Sequence, residues 1–183
     1  AAWSMLGHPL LMPIPDIDRT EYFLILGANP LASNGSLMTA PDIINRLESI
    51  TKRGGKIVLI DPRKTETARV ASEHHFIKPS TDVHFLLAII NTLFAENLVD
   101  PAHLADFTDG VETLEEISRT FTPEKAEALT GIAAAHIRRI ASEFASAQSA
   151  VCYGRMGVSV QKSGSLCHWL INAINVLTGN FDR

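Results

Sequence analysis

Two five-residue apolar runs, "YFLIL" at Tyr22–Leu26 and "KIVLI" at Lys56–Ile60, constrain this chain more than any other feature. Neither alternates apolar with polar residues, so neither reads as a strand with one wet face. A short continuous run is the pattern of a strand covered on both sides. Between them Ile43, Ile44, Leu47 and Ile50 share one helical stripe, with Thr39 or Ala40 as the expected cap and Pro41 in the first turn. Gly54 and Gly55 stand where that helix must end and a left-handed backbone is wanted. Strand, helix and strand in under 40 residues predict two parallel strands joined by a crossover.

The alternation continues. A third short strand is expected around Phe76 and Ile77, leading to a helix over 82–95 with Ser80 or Thr81 as its N-cap. That helix is apolar around most of its circumference, which predicts deep burial. Asp100-Pro101 and Thr122-Pro123 are helix-start pairs, and they open a helical insert of four short to medium helices from about 100 to 147. Ile137, Ile140, Ala141 and Phe144 lie on one stripe, so the last of these packs on the body. A strand over 150–154 and a helix from about Ser163 to Leu177, closed by Gly179, complete the pattern. The predicted fold class is α/β over residues 21–183: a doubly wound, mainly parallel, Rossmann-like sheet with a helical insert. Residues 1–20, with Pro9, Pro13 and Pro15 and no clean periodicity, are expected to form an extended arm continuing from a preceding domain.

Composition removes several function classes. A formal charge of −4 with no dense basic run gives no footprint for nucleic acid. No apolar run approaches the roughly 18 to 20 residues that span a bilayer; the longest, Val83–Phe94, is broken by Asn91 and Thr92. No secretory leader is legible at the start, so the cytoplasm is the default expectation, and the missing methionine at position 1 suits a piece of a longer chain. Cys152 and Cys167 alone cannot build a disulfide or zinc framework. His74 and His75 point to opposite faces of an extended segment and cannot chelate one metal together. His84, His103, His136 and His168 are isolated on helices and read as packing residues. No nucleophile–base–acid set follows from the spacing.

Chemistry concentrates at the strand ends, where open parallel sheets bind ligands. After the first strand comes "GANPLASNGS": Gly27 lets backbone approach closely, Asn29, Ser33, Asn34 and Ser36 offer neutral hydrogen-bond groups, and helix-start N–H groups suit phosphate. The spacing is not G-x-G-x-x-G, so a plain capped turn is the equal alternative. After the second strand, Asp61 falls 34 residues beyond Gly27, near the place of a ribose-binding acid, with Arg63 and Lys64 beside it. Turn and cap duties would explain the same residues. "KPSTD" adds Thr81 and Asp82, where helix capping competes with reading a base. A carboxylate accepts two hydrogen bonds from the edge of guanine, and either Asp61 or Asp82 suits that role. The fourth end, "YGRMG", brings Arg155, Met156 and Gly157.

In order and interval, "LGANPLASNGS", "GGKIVLIDPRKTETARVA", "IKPSTDVHFLLAIINTLFAENLVD", "FTPEKAEALTGIAAAHIRRIASEFA", "YGRMGVS" and "LTGN" resemble the molybdopterin oxidoreductase family of formate dehydrogenases, nitrate reductases and dimethyl sulfoxide reductases. The resemblance implies an enzyme fragment that holds one arm of a molybdopterin guanine dinucleotide carrying molybdenum or tungsten. Gly27, Asn29, Pro30 and Ser33 would line its phosphate and ribose side. Asp61 and Arg63 would contact ribose or guanine, Thr81 and Asp82 would close the guanine pocket, and Arg155, Met156 and Gly157 would approach the pterin. It also implies an iron–sulfur cluster and a metal ligand in the longer protein. The cysteines for that cluster are not among these residues, so the fragment by itself is expected to be catalytically incomplete. The implied partners are the remaining domains of the same polypeptide and an electron-transfer subunit. Two alternatives stay open: a non-catalytic scaffold relative in an electron-transfer complex, and an NAD(P)-binding domain.

Overall fold

The computed structural model describes residues 2–181. Four strands, β1 (Tyr22–Leu26), β2 (Lys56–Ile60), β3 (Glu73–His75) and β4 (Ala150–Gly154), form one sheet in the order β3-β2-β1-β4, with every pair parallel. Leu26 stands level with Ile60 on one side and Gly154 on the other, so three strand ends align at one edge. The chain moves outward from β1 to β2 and β3, then returns to place β4 on the opposite side of β1. Order reverses between β1 and β4, which is the switch point where a ligand crevice opens in such sheets.

Alternate residues of the two apolar runs enter two separate cores. Phe23, Ile25, Ile57 and Leu59 pack with Ile43, Leu47 and Ile50 of α3 (Ile43–Lys52). Leu24, Leu26, Val58 and Ile60 pack on the other face with α4 (Asp82–Ala95), α7 (Ala134–Ser146) and α9 (Gly164–Leu177). Side chains such as Phe23 and Leu24 are wholly buried, each contributing roughly 1.5–3 kcal/mol. Central α4 is enclosed by α5 (Val111–Ser118), α6 (Pro123–Thr130), α7 and α9, which explains why it can be apolar nearly all round. Its polar interruptions are satisfied: Asn91 donates to the Ser118 carbonyl at 3.1 Å and Thr92 to that of Ala88 at 2.9 Å.

Several expectations shift. The third strand is β3 at 73–75, two residues before Phe76 and Ile77, because β2 pairs Val58, Leu59 and Ile60 with Glu73, His74 and His75. Helix α3 begins at Ile43 rather than near Thr39 and Pro41; Thr39 and Asp42 both have positive φ, which interrupts a helical start. The arm is not wholly extended, since α1 (Ala2–Leu6) precedes its prolines. Four helical segments lie between 100 and 147, the first a 3₁₀ turn at Ala102–Phe107 whose N-cap is Pro101, one residue later than expected; Asp100 Oδ1 accepts from Ala102 N–H at 3.0 Å.

Candidate cofactor-arm site at the sheet edge

The exit of β1 is held by backbone against backbone. Gly157 N–H donates to the Gly27 carbonyl at 2.8 Å, and Gly27 sits at φ 53. A Cβ on Gly27 would lie 2.8 Å from Gly157 Cα, and one on Gly157 would lie 2.6 Å from Gly27 Cα. The two glycines therefore let the β1 and β4 exits touch at the switch point. Close approach, expected at Gly27 for a ligand, is made here by Gly157.

Asn29 faces inward. Its Oδ1 accepts from Thr67 Oγ1–H at 2.8 Å and Thr67 N–H at 3.3 Å, and its Nδ2 donates to Glu66 at 2.6 Å. These bonds fasten the 3₁₀ turn Glu66–Arg69 beneath α2 (Pro30–Ser33), which starts with buried Pro30 at its first position. Ser33 is half-buried, with its hydroxyl 3.5 Å from the Pro30 carbonyl. Sequence reading missed α2, the 66–69 turn and α8 (Met156–Ser159), all too short to show a period.

Asp61 is 8% exposed and Asp82 is 4% exposed, although both are carboxylic acids. Asp61 Oδ1 accepts from Arg63 N–H at 2.8 Å, and the Asp61 carbonyl lies 3.1 Å from the His74 ring. Burial raises the Asp61 pKa above its ordinary value, against the Arg63 N–H bond and the His74 and Arg63 charges. Burial likewise raises that of Asp82; a bond from Gln161 opposes the shift, and the charge of Asp61 adds to it. Arg63 reaches outward and is exposed, while Thr81, the N-cap of α4, turns its hydroxyl back to the Lys78 carbonyl at 2.6 Å.

On the β4 side, Arg155 donates to Ser36 Oγ at 3.0 Å while its Nε is buried without a partner; Met156 is 62% exposed. Thr65 Oγ1 and Gln161 Oε1 are two further buried polar atoms with no partner. A cavity of about 680 Å³ lies beside this edge, between the arm and the outer side of β4. It touches Arg155 and Met156 but not Gly27, Asp61 or Asp82. The open side of β4 above it is closed by amides: Asn175 bonds both the N–H and the carbonyl of Cys152, and Asn180 takes the N–H of Ala150.

No nucleophile is assembled here. Ser159 Oγ is 2.7 Å from His168 Nε2 and 2.9 Å from the Arg155 carbonyl, which only accepts. The hydroxyl proton goes to that carbonyl, leaving His168 to donate rather than to act as a base. Cys152 is buried and its thiol pKa pushed far up by burial, and that of Cys167 rises to about 11 by burial and the nearby Asp82 charge. Among the described residues no group of His, Cys, Asp and Glu could hold a metal ion, and no helix is long and apolar enough to cross a membrane.

Sheet order, the switch point and the helices packed on both faces define a doubly wound α/β domain with two buried acids near the strand ends. The chain belongs to the molybdopterin oxidoreductase family, whose family profile matches residues 6–183. It is 34% identical over 170 residues to formate dehydrogenase H of Escherichia coli, covering 93% of this chain and 23% of that protein. The molybdopterin-containing subunit of the arsenate respiratory reductase of Chrysiogenes arsenatis is 32% identical over 190 residues, with 91% and 22% covered. Acetylene hydratase from Pelobacter acetylenicus shares the fold, with a TM-score of 0.80 over 93% of this chain and 23% of that one, at 24% identity. The chain thus spans about a quarter of the length of the relatives it matches. Membership replaces the NAD(P) alternative and implies a molybdopterin cofactor with molybdenum or tungsten.

Proposed function

We propose that this chain holds the guanosine diphosphate arm of a molybdopterin guanine dinucleotide across the ends of β1, β2 and β4, within a longer oxidoreductase. The observation that carries this reading is the burial of two carboxyls, Asp61 at the end of β2 and Asp82 at the start of α4, with the charge of Asp61 adding to the raised pKa of Asp82. Guanine presents N–H donors on one edge, and a carboxylate is the side chain that accepts two of them. Helix-end stabilisation applies to Asp82, in the first turn of α4, but not to Asp61, which starts no helix, so it does not account for the burial of both acids.

The residues present fit such a group. The unpartnered Arg155 Nε suits an anionic or carbonyl oxygen, and the unpartnered Thr65 hydroxyl suits a sugar or phosphate oxygen. Asp61 and Asp82 would divide the ribose and guanine contacts, with Arg63 free to cover the base or a phosphate. The Gly27–Ser33 exit would face the phosphates, and Met156 and Gly157 the pterin side. Bound in the longer polypeptide, the metal cofactor supplies electron exchange with substrate, often with an oxygen atom. This chain binds and orients; it contributes no catalytic residue. An iron–sulfur cluster, an electron-transfer subunit and a cytoplasmic location belong to the same proposal about the longer protein.

The test is direct analysis of the longer protein: molybdenum or tungsten by elemental analysis, and guanine nucleotide released on denaturation. Both present in comparable amounts support the reading. Neither present, with no guanine-nucleotide binding, returns the chain to a non-catalytic scaffold.

A further inference from the structure

We infer that Gln161 is a positioning residue for the nucleotide arm: its carboxamide fixes the Asp82 carboxyl and ties it to the Gly27–Gly157 contact. Gln161 Nε2 lies 2.6 Å from Asp82 Oδ2 and 2.7 Å from the Gly157 carbonyl oxygen. Gly157 N–H in turn donates to the Gly27 carbonyl. One hydrogen-bonded path therefore runs from the end of β1, through α8 and Gln161, to the first residue of α4. It joins the loop that would face the phosphates to an acid that would read the base. The inference rests on the nucleotide reading above.

The orientation of the amide follows from its neighbours. Both groups beside Nε2 are acceptors, a carboxylate oxygen and a carbonyl oxygen, so that atom must be the nitrogen. Oε1 is then turned away, buried and without a partner. A leucine of similar volume would fill the same space without the orphaned Oε1, but would strip the donor from Asp82 Oδ2 and from the Gly157 carbonyl. Packing alone gives no reason for an amide here; the reason is the buried Asp82 carboxyl, whose ionised form the Gln161 bond favours against burial. What the amide uniquely supplies is two N–H groups that hold the carboxyl and α8 in one geometry.

Three groups face Asp82. Asp61, from the end of β2, opposes its ionisation; Gln161 favours it; Cys167, from α9, is an uncharged thiol with a pKa near 11. Removing the Gln161 bond therefore makes Asp82 ionise at higher pH. A guanine edge needs the ionised carboxyl, so the acid limit below which binding is lost would move to higher pH as well.

The experiment uses the full 183-residue chain as wild type, Gln161→Leu and Gln161→Glu, titrated with GDP from roughly pH 5 to pH 8. The Asp82 carboxyl is followed by carbon-13 NMR and folding by thermal melting. The expected result for Gln161→Leu is about tenfold weaker GDP binding near neutral pH. The acid limit of binding and the Asp82 titration should both move upward, with melting lowered only by the two bonds lost. Gln161→Glu keeps the shape but removes the donor, and should move the two titrations in the same direction. GDP binding and an Asp82 titration unchanged in both variants would overturn the inference while leaving the nucleotide reading intact. A fall of melting temperature and affinity together, with the Asp82 titration unmoved, would assign Gln161 to the fold and overturn it equally. A wild-type chain that does not bind GDP ends the nucleotide reading, and Gln161's role with it.

Discussion

Gly27 and Gly157 meet backbone to backbone at the switch point, joined by an N–H to carbonyl bond of 2.8 Å. Gly157 does not have positive φ, so a substitution there tests the contact alone. Gly157→Ala would put a methyl 2.6 Å from Gly27 Cα, and neither backbone can yield without moving a strand end. The expected cost is about 1–3 kcal/mol, read as a lower denaturation midpoint, accompanied by loss of GDP binding. An unchanged midpoint would mean that the two exits do not touch.

Asn29 makes its three hydrogen bonds to the 66–69 turn and not to solvent. Asn29→Ala strips a partner from Thr67 and from Glu66, and should destabilise the chain by roughly 1–3 kcal/mol. Hydrogen exchange should rise selectively at residues 65–69. A variant that lost ligand binding with wild-type exchange there would instead place Asn29 against the ligand.

Asp82 has a folded-state pKa raised above its ordinary value, first by burial. A raised acid favours folding in its protonated form, so its contribution is fully present below the unfolded value of 3.8 and is lost as pH rises through the folded one. At neutral pH the ionised carboxyl is a burden on the fold. Asp82→Asn is therefore expected to raise the melting temperature at pH 7 while weakening GDP binding at least tenfold. A melting temperature that falls would return Asp82 to helix capping. Asp61→Ala should likewise weaken binding more than it weakens the fold.

Glu73 behaves in the opposite sense. Arg139 donates to both its carboxylate oxygens at 2.6 and 2.9 Å and Lys56 stands 2.5 Å away, so its pKa is held well below 4.5. Burial pushes Glu143 up, but bonds from Lys56, Arg139 and Tyr22 outweigh it and hold it low. Acids with depressed pKa values contribute stability that is present above the unfolded value of 4.5 and lost as pH falls through the folded one. Urea denaturation below that value should show a steep loss of stability. Arg139→Met should be less stable at neutral pH and show a shallower acid limb; an identical limb would exclude this cluster as its cause.

The fold was legible because its governing signal is long and repeated. "YFLIL" and "KIVLI" are continuous apolar runs, and such runs buried on two faces leave little choice but a parallel sheet between helices. The edge at Glu73–His75 was misjudged by two residues because that strand is polar and carries no apolar run of its own. Asp61, Asp82 and Arg155 were readable as strand-end residues, since position after a strand is visible in sequence. The inward turn of Asn29 was not, because its partner Thr67 lies 38 residues away. Gln161 was missed for the same reason: nothing in "SVQKSGS" tells that its amide reaches an acid 79 residues earlier.

The most direct test of a guanine-nucleotide site is calorimetric titration of the chain with GDP and, separately, with ADP, for wild type and Asp61→Ala. The account predicts that GDP binds, that ADP binds far more weakly, and that Asp61→Ala loses GDP affinity while remaining folded. Equal binding of both nucleotides, or GDP binding untouched by loss of Asp61, would contradict it.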